Sequence, residues 1–139
     1  RYADKIVLPA DLGYVENGVR RECRIGAVPT EICAVDIGSE TARQYESIIL
    51  AAKTVFVNGP MGIFEQPETE LGTKTVFEAL GNTAGYTVVG GGDSVTAAAK
   101  YQVKDKLGYV CTGGGALIRF LTGEELPVVK ALRHAAAAL

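Results

Sequence analysis

Two glycine triplets restrict this chain more than any other feature. Gly90-Gly91-Gly92 follows the apolar run Tyr86-Thr87-Val88-Val89 and precedes Asp93-Ser94 and the alanine-rich stretch to Tyr101. Gly113-Gly114-Gly115 follows Tyr109-Val110-Cys111-Thr112 and precedes Ala116 to Leu121. Each triplet therefore stands between a strand-like run and a segment of high helix propensity. Successive glycines lose much backbone entropy on folding and add no side-chain contacts, so they call for another reason. A backbone without Cβ atoms lets a phosphate oxygen approach N–H groups, and a helix starting at the same point adds its positive dipole end and unpaired amides. Neither triplet fits G-x-x-x-x-G-K-[ST] or G-x-G-x-x-G, which argues against a standard P-loop and against a dinucleotide-dependent oxidoreductase.

The remaining segments alternate in the same way. Lys5-Ile6-Val7-Leu8-Pro9 reads as a short buried strand, and Glu31 to Gly38 as a second strand-like element. Between them, Asn17-Gly18 signals a hairpin turn inside a solvent-facing insert at about residues 12–29, with Arg20, Arg21 and Arg24 on a solvated face. Ser39 is positioned to cap a helix through about Ala52, with Tyr45, Ile48, Ile49 and Ala52 on its apolar face. Thr54 to Asn58 is apolar on both pleat faces, as a central parallel strand would be. A helix is expected from about Glu70 to Leu80 with Gly81 as its stop, and a last helix over the tail at about residues 127–139. Strands alternating with helices predict an α/β fold: a doubly wound, mostly parallel, Rossmann-like sheet in a single 139-residue unit.

Composition removes several function classes. The formal net charge is −2, and the only basic cluster has no interleaved aromatic residues, which disfavours nucleic acid as a partner. Three cysteines at irregular spacing build neither a disulfide framework nor a metal knuckle and fit a reducing compartment. No apolar run approaches the roughly 20 residues of a membrane span and no leader pattern begins the chain, so a cytoplasmic location is expected. His134 is the only histidine, which removes most histidine-based catalytic sites.

In open parallel sheets ligands bind beyond the carboxyl ends of the strands. Here the strands ending at Asn58, Val89 and Cys111 all run into glycine-bearing loops. Asp93 is a candidate Mg²⁺ ligand, because a phosphate-bound hard cation takes only one or two protein carboxylates; the lesser alternative is that it merely caps the helix that follows. In Asn58-Gly59-Pro60-Met61-Gly62-Ile63-Phe64-Glu65, Ile63 and Phe64 could meet a base and Glu65 could accept from ribose hydroxyls, or the segment is simply a buried turn.

These motifs in this order, Asn58 to Glu65, then Gly90-Gly91-Gly92-Asp93-Ser94, then Thr112-Gly113-Gly114-Gly115-Ala116, closely resemble the C-terminal half of phosphoglycerate kinases. The likeness runs from Lys5 through Leu126-Pro127. It implies a partial C-terminal domain of a two-domain kinase that transfers a phosphoryl group, with Mg²⁺, between 1,3-bisphosphoglycerate and ADP, giving 3-phosphoglycerate and ATP. It further implies Asn58 and Glu65 at the nucleotide sugar, Ile63 against the adenine, and Gly91 and Gly92 at the phosphates. Asp93 would hold the metal, Ser94 would bond the nucleotide phosphates, and Gly113 and Gly114 would offer N–H groups to the phosphoryl group in transfer. Val57 stands where many relatives have tryptophan, and Ala34-Val35 where many have Gly-Leu near the adenine. The residues that would bind the phosphoglycerate belong to a part of the family's fold that this sequence does not resemble. The resemblance therefore implies a chain that binds nucleotide without catalysing alone, needs that part as a partner, and exposes apolar surface able to self-associate; a non-catalytic nucleotide-binding module is the alternative.

Overall fold

The computed structural model describes residues 2–137. The chain opens without the expected first strand. Lys5 closes a 3-10 turn, and Ile6, Val7 and Leu8 are exposed, tied down by the hydroxyl of Tyr45 donating to the carbonyl of Val7 at 3.0 Å. An apolar run becomes a strand only beside a ladder partner, and no described strand runs next to this one.

Next comes a hairpin of β1 (Asp11–Glu16) and β2 (Val19–Arg24), turned at Asn17 and Gly18, whose φ values of 52° and 76° are those of a two-residue hairpin turn. Of the second strand-like element only β3 (Asp36–Ile37) is a strand, pairing antiparallel with β1 to give the order β2-β1-β3. The hairpin is not merely solvated. The Arg20 guanidinium bonds Asp36 Oδ2 at 3.0 Å and the Ile37 carbonyl at 2.8 Å, while Asp36 Oδ2 also accepts from the Gly72 amide at 2.9 Å. Burial pushes the Asp36 carboxyl up; the Gly72 amide and Arg20 work against that rise. Arg20 thus compensates a carboxylate that is itself fully covered, the kind of pair whose disruption leaves a buried charge.

The hairpin also caps α1 (Ser39–Ala51). Ser39 is the first helical residue and not the cap; Gly38 holds that position and supplies no side-chain oxygen. The acceptors come from far away in sequence: Glu22 Oε2 takes the Ser39 amide at 3.1 Å, and Asp11 takes the amides of Glu40 at 3.0 Å and Thr41 at 2.8 Å. A methyl at Gly38 would lie 2.1 Å from the Asp11 carboxyl carbon, so this close approach needs glycine. On α1, Thr41, Ala42 and Ile49 are buried and Tyr45 is half-buried, whereas Ile48 remains exposed.

The parallel sheet consists of β4 (Thr54–Asn58), β5 (Tyr86–Gly90) and β6 (Tyr109–Cys111), in that spatial order. β4 is therefore an edge of the described sheet, contrary to the central position its composition predicts, and β5 lies between its neighbours. Phe56 on β4 accordingly stays exposed. Helix α2 (Leu71–Asn82) links β4 to β5, and α3 (Gly92–Lys100) links β5 to β6. Gly81 does not stop α2; it lies inside the last turn, where a methyl would come within 2.8 Å of Val103 Cγ1. The core joins Ile49 of α1, Val57 of β4, Phe77 and Leu80 of α2, Val89 of β5 and Ala97 and Ala98 of α3. Helices α4 (Gly114–Leu121) and α5 (Pro127–Ala137) follow with no buried residue; Pro127 opens α5, where its missing N–H costs nothing. Residues 138 and 139 of the expected last helix lie outside the described residues. Among the described residues no helix is long and apolar enough to cross a membrane.

Asp11 yields a signed prediction. Burial raises its carboxyl, but the Thr41 hydroxyl and the amides of Thr41 and Glu40 outweigh that and hold it below the usual aspartate range. A lowered folded value contributes stability that is present above the unfolded value, near 4, and is lost as pH falls through the folded one. Asp11→Asn should lower the unfolding free energy by about 1–2 kcal/mol at neutral pH. In urea titrations the gap to the parent chain should close as the pH is brought below 4; a gap that persists undiminished in acid would contradict this assignment.

Candidate functional site

The three parallel strands end in step. Asn58 pairs with Gly90, and Gly90 with Cys111, so the loops that follow leave one edge of the sheet at one level. Parallel pairing places all three carboxyl ends on the same side, where α/β sheets form their ligand crevice.

Backbone bonds and close contacts stitch the loops together. The Gly91 amide donates to the Cys111 carbonyl at 3.1 Å, and the Gly59 amide donates to Ser94 Oγ at 2.7 Å. Asn58 Oδ1 fits between the two glycine triplets: a methyl at Gly114 would lie 2.7 Å from it and 3.1 Å from Gly91 Cα, and a methyl at Gly91 would lie 3.2 Å from it. Gly91 also has φ 96°, a left-handed conformation that a side chain would strain. Gly91 and Gly114 are thus explained by packing and backbone shape. Gly92, Gly113 and Gly115 are not: methyls at Gly92 and Gly115 would meet nothing within 4 Å, and one at Gly113 only Ala116 Cβ at 3.9 Å. These glycines face open space, beside the first turns of α3 and α4, whose leading amides have no acceptor within their own helix.

Beside the loops opens a cleft of about 480 Å³, bounded by Cys33, Ala34 and Val35 on one side, by Pro60 and Gly62 to Glu65 on another, and by Asp93. Its first-loop wall is held by Thr73, whose Oγ1 accepts from the amides of Met61 at 3.1 Å and Gly62 at 3.3 Å, and by the Ile63 amide donating to the Val35 carbonyl at 2.9 Å. The fold turns Phe64 into the core, 4% exposed, and leaves Ile63, 45% exposed, as the apolar surface at the cleft.

Ile63, Glu65 and Asp93 therefore share one cleft. Asn58, Gly91 and Gly114 meet next to it, with Gly92 and Gly113 open beside them. Ser94 behaves differently from an exposed phosphate ligand: it is fully buried and its oxygen accepts from Gly59, so it ties the first loop to the second. Asp93 does not cap α3, since Gly91 holds the cap position and no side chain bonds there. Among the described residues the side chains of Asp93 and Glu65 make no hydrogen bond or ion pair, and no basic side chain lines the cleft. Two carboxylates without a cation beside them repel a bare polyphosphate, and a metal ion held between carboxylate and phosphate would offset that repulsion. The donor set suits Mg²⁺, which is satisfied by one carboxylate plus phosphate oxygens and water. No group of three or more His, Cys, Asp or Glu gathers among the described residues, so a dedicated protein cage is not built. Sequence reasoning missed Cys33 as a wall residue; an exposed cysteine in an irregular segment carries no spacing signal that would have found it.

Comparison with known proteins gives the family. The phosphoglycerate kinase family model matches residues 1–124. The chain is 38% identical over 135 residues to the phosphoglycerate kinase of Methanothermus fervidus, covering 97% of this chain and 33% of that protein. It is 46% identical over 136 residues to that of Akkermansia muciniphila, covering 92% and 34% respectively. The crystal structure of phosphoglycerate kinase from Pyrococcus horikoshii OT3 superposes with a TM-score of 0.86 at 34% identity, covering 100% of this chain and 35% of that one. The Coxiella burnetii enzyme gives 0.80 at 33% identity, covering 89% and 33%. This sequence thus spans about a third of the length of the relatives it matches, and within that span it belongs to the phosphoglycerate kinase family.

Proposed function

We propose that this chain forms the nucleotide side of a glycolytic phosphoglycerate kinase cleft, serving Mg²⁺-dependent transfer of a phosphoryl group between 1,3-bisphosphoglycerate and ADP to give 3-phosphoglycerate and ATP. The observation that carries this reading is the convergence of three in-register strand ends beside a cleft that presents Ile63, Glu65 and an unpaired Asp93. Ile63 offers apolar contact to the adenine, and Glu65 accepts from the ribose, with Asn58 next to it between the triplets. Gly91 and Gly92, at the start of α3, admit the nucleotide phosphates to backbone amides. Ser94 holds these loops in register through Gly59 and reaches the phosphates only if that bond is released. Gly113 offers its amide towards the transferred group, where preorganised donors favour the charge that develops in the transition state, and Gly114, whose own amide donates to the Thr112 carbonyl at 3.0 Å, does so only if that bond is released. Asp93 would hold Mg²⁺, which supplies charge neutralisation across the phosphate oxygens when bound.

Three outcomes test the reading. Isothermal titration should show MgADP binding, and Asp93→Asn should weaken it by roughly tenfold or more while metal-free ADP is little affected. Equal affinity of parent and variant for MgADP would sink the metal assignment.

In-line transfer requires both substrates to be positioned together, and this chain supplies the nucleotide side. The 139-residue polypeptide alone should show no measurable turnover in a coupled phosphoglycerate kinase assay, and supplying the remaining part of a relative's chain should restore it. Substantial turnover by the pure chain refutes this. Binding without restored turnover favours the second reading, a nucleotide-binding module.

Exposed Val7 and Phe56 near the free edge of β4, and Phe120, Leu121 and Leu132 on the last two helices, favour self-association of the isolated polypeptide. Light scattering should give a mass that rises with concentration; a monomer mass at all concentrations counts against it.

A further inference from the structure

Lys100 lies in the last turn of α3, seven residues after Asp93, so the two share a helix face about 10 Å apart along the axis. Its ammonium donates to the carbonyl of Phe64, pairs with Glu70 Oε2 at 2.7 Å, and lies 5.5 Å from the centre of the Tyr101 ring. The Tyr101 hydroxyl donates to the same Glu70 oxygen at 3.2 Å, and its ring packs against Phe77 in the core at 6.4 Å between centroids. The Lys100 hydrogen bond holds the Glu70 carboxyl below its usual range, while burial, with Glu70 adding to it, pushes the Tyr101 hydroxyl up. Glu70 is therefore a carboxylate and Tyr101 a neutral phenol at neutral pH. None of the three lines the cleft.

What Lys100 grips is the backbone between Ile63 and Glu65. Ile63 is already held at its amide by the Val35 carbonyl and at its carbonyl by the Thr69 hydroxyl. The next carbonyl, that of Phe64, is the one Lys100 takes. Phe64 itself is anchored in the core, so with its carbonyl fixed the peptide leading to Glu65 has little freedom to rotate. Glu70 directly precedes α2, which joins the grip to a second helix.

We propose that Lys100, supported by Glu70 and Tyr101, is a positioning residue that fixes the Ile63–Glu65 segment through the Phe64 carbonyl and thereby sets affinity for the nucleoside part of the ligand, as distinct from its polyphosphate part. The second half of this statement rests on the nucleotide reading given above. The same helix then serves both ends of the ligand, α3's amino end facing phosphate and its carboxyl end fixing the loop that meets base and ribose.

The test uses the whole chain and its Lys100→Met, Lys100→Arg and Tyr101→Phe variants. Titration with MgADP and with magnesium tripolyphosphate is combined with amide hydrogen exchange over residues 63–69. Lys100→Met should weaken MgADP roughly tenfold, leave tripolyphosphate within about twofold, and speed exchange in that loop while the α2 core stays protected. Lys100→Arg should recover most of the loss. Tyr101→Phe, which removes one bond and keeps the ring, should shift both readouts in the same direction by less, and guards against a Lys100→Met chain that fails to fold. Equal losses for both ligands, or unchanged loop exchange in Lys100→Met and Tyr101→Phe, would overturn the proposal. If the parent chain binds neither ligand, the nucleotide reading falls, and the exchange data alone decide whether Lys100 holds the loop.

Discussion

The parallel pairing of β4 with β5 and of β5 with β6 is the constraint on which the remaining architecture hangs. Because Asn58, Gly90 and Cys111 lie side by side, the chain leaves the sheet three times at one level and must fit three loops into the same space. Crowding is tightest where the loops touch: the amide of Asn58 occupies the gap between the triplets, leaving no room for a Cβ at Gly114 and a tight fit at Gly91. The same crowding brings the starts of α3 and α4 together, so two helix dipoles point into one region. A shift of a single residue in either pairing would separate the groups that this arrangement collects.

Around that edge, polar contacts of long sequence separation hold the supporting elements. Glu22 and Asp11 satisfy the first three amides of α1 from the hairpin, and Arg20 reaches Asp36, which in turn receives the first turn of α2 through Gly72. The hairpin is therefore a brace between two helix starts, and it bears on the cleft because Asp36 directly follows the wall formed by Cys33, Ala34 and Val35. A methyl at Gly62 would lie 2.4 Å from the Val35 carbonyl, so the first loop packs directly on that wall.

Much of this was readable in the sequence where the signal is local. The strand-to-helix transitions at Gly90 and at Gly113 and the hairpin turn at Asn17-Gly18 follow from propensity and turn chemistry over a few residues. What was not readable depends on partners distant in the chain. Ile6 to Leu8 has the composition of a strand, but a ladder needs a neighbour. Ser39 has a capping residue's chemistry, yet the oxygens that cap α1 belong to residues earlier in the chain, and its own hydroxyl donates to Glu22. Arg20 sits in an arginine-rich strand that reads as surface, and only tertiary contact with Asp36 distinguishes it from Arg21. Among the candidate site residues, Ile63, Glu65 and Asp93 stand in one cleft, whereas the burial of Ser94 arises from packing against Gly59 that no spacing rule encodes.

Helix α3 can also be seen as a length standard. Its nine residues span about 13 Å, and Asp93 and Lys100 mark two graduations on one side of it. A rigid rod of fixed span converts a chemical question, which ligand is accepted, into a geometrical one, how far apart two grips are held. Adding or removing one residue inside the rod would alter the span by only about 1.5 Å but would swing one graduation about 100° around the axis relative to the other. At the exposed positions Thr96 and Ala99 the gauge is therefore more sensitive to residue count than to residue identity, whereas the buried Ala97 and Ala98 are fixed by the core they pack into.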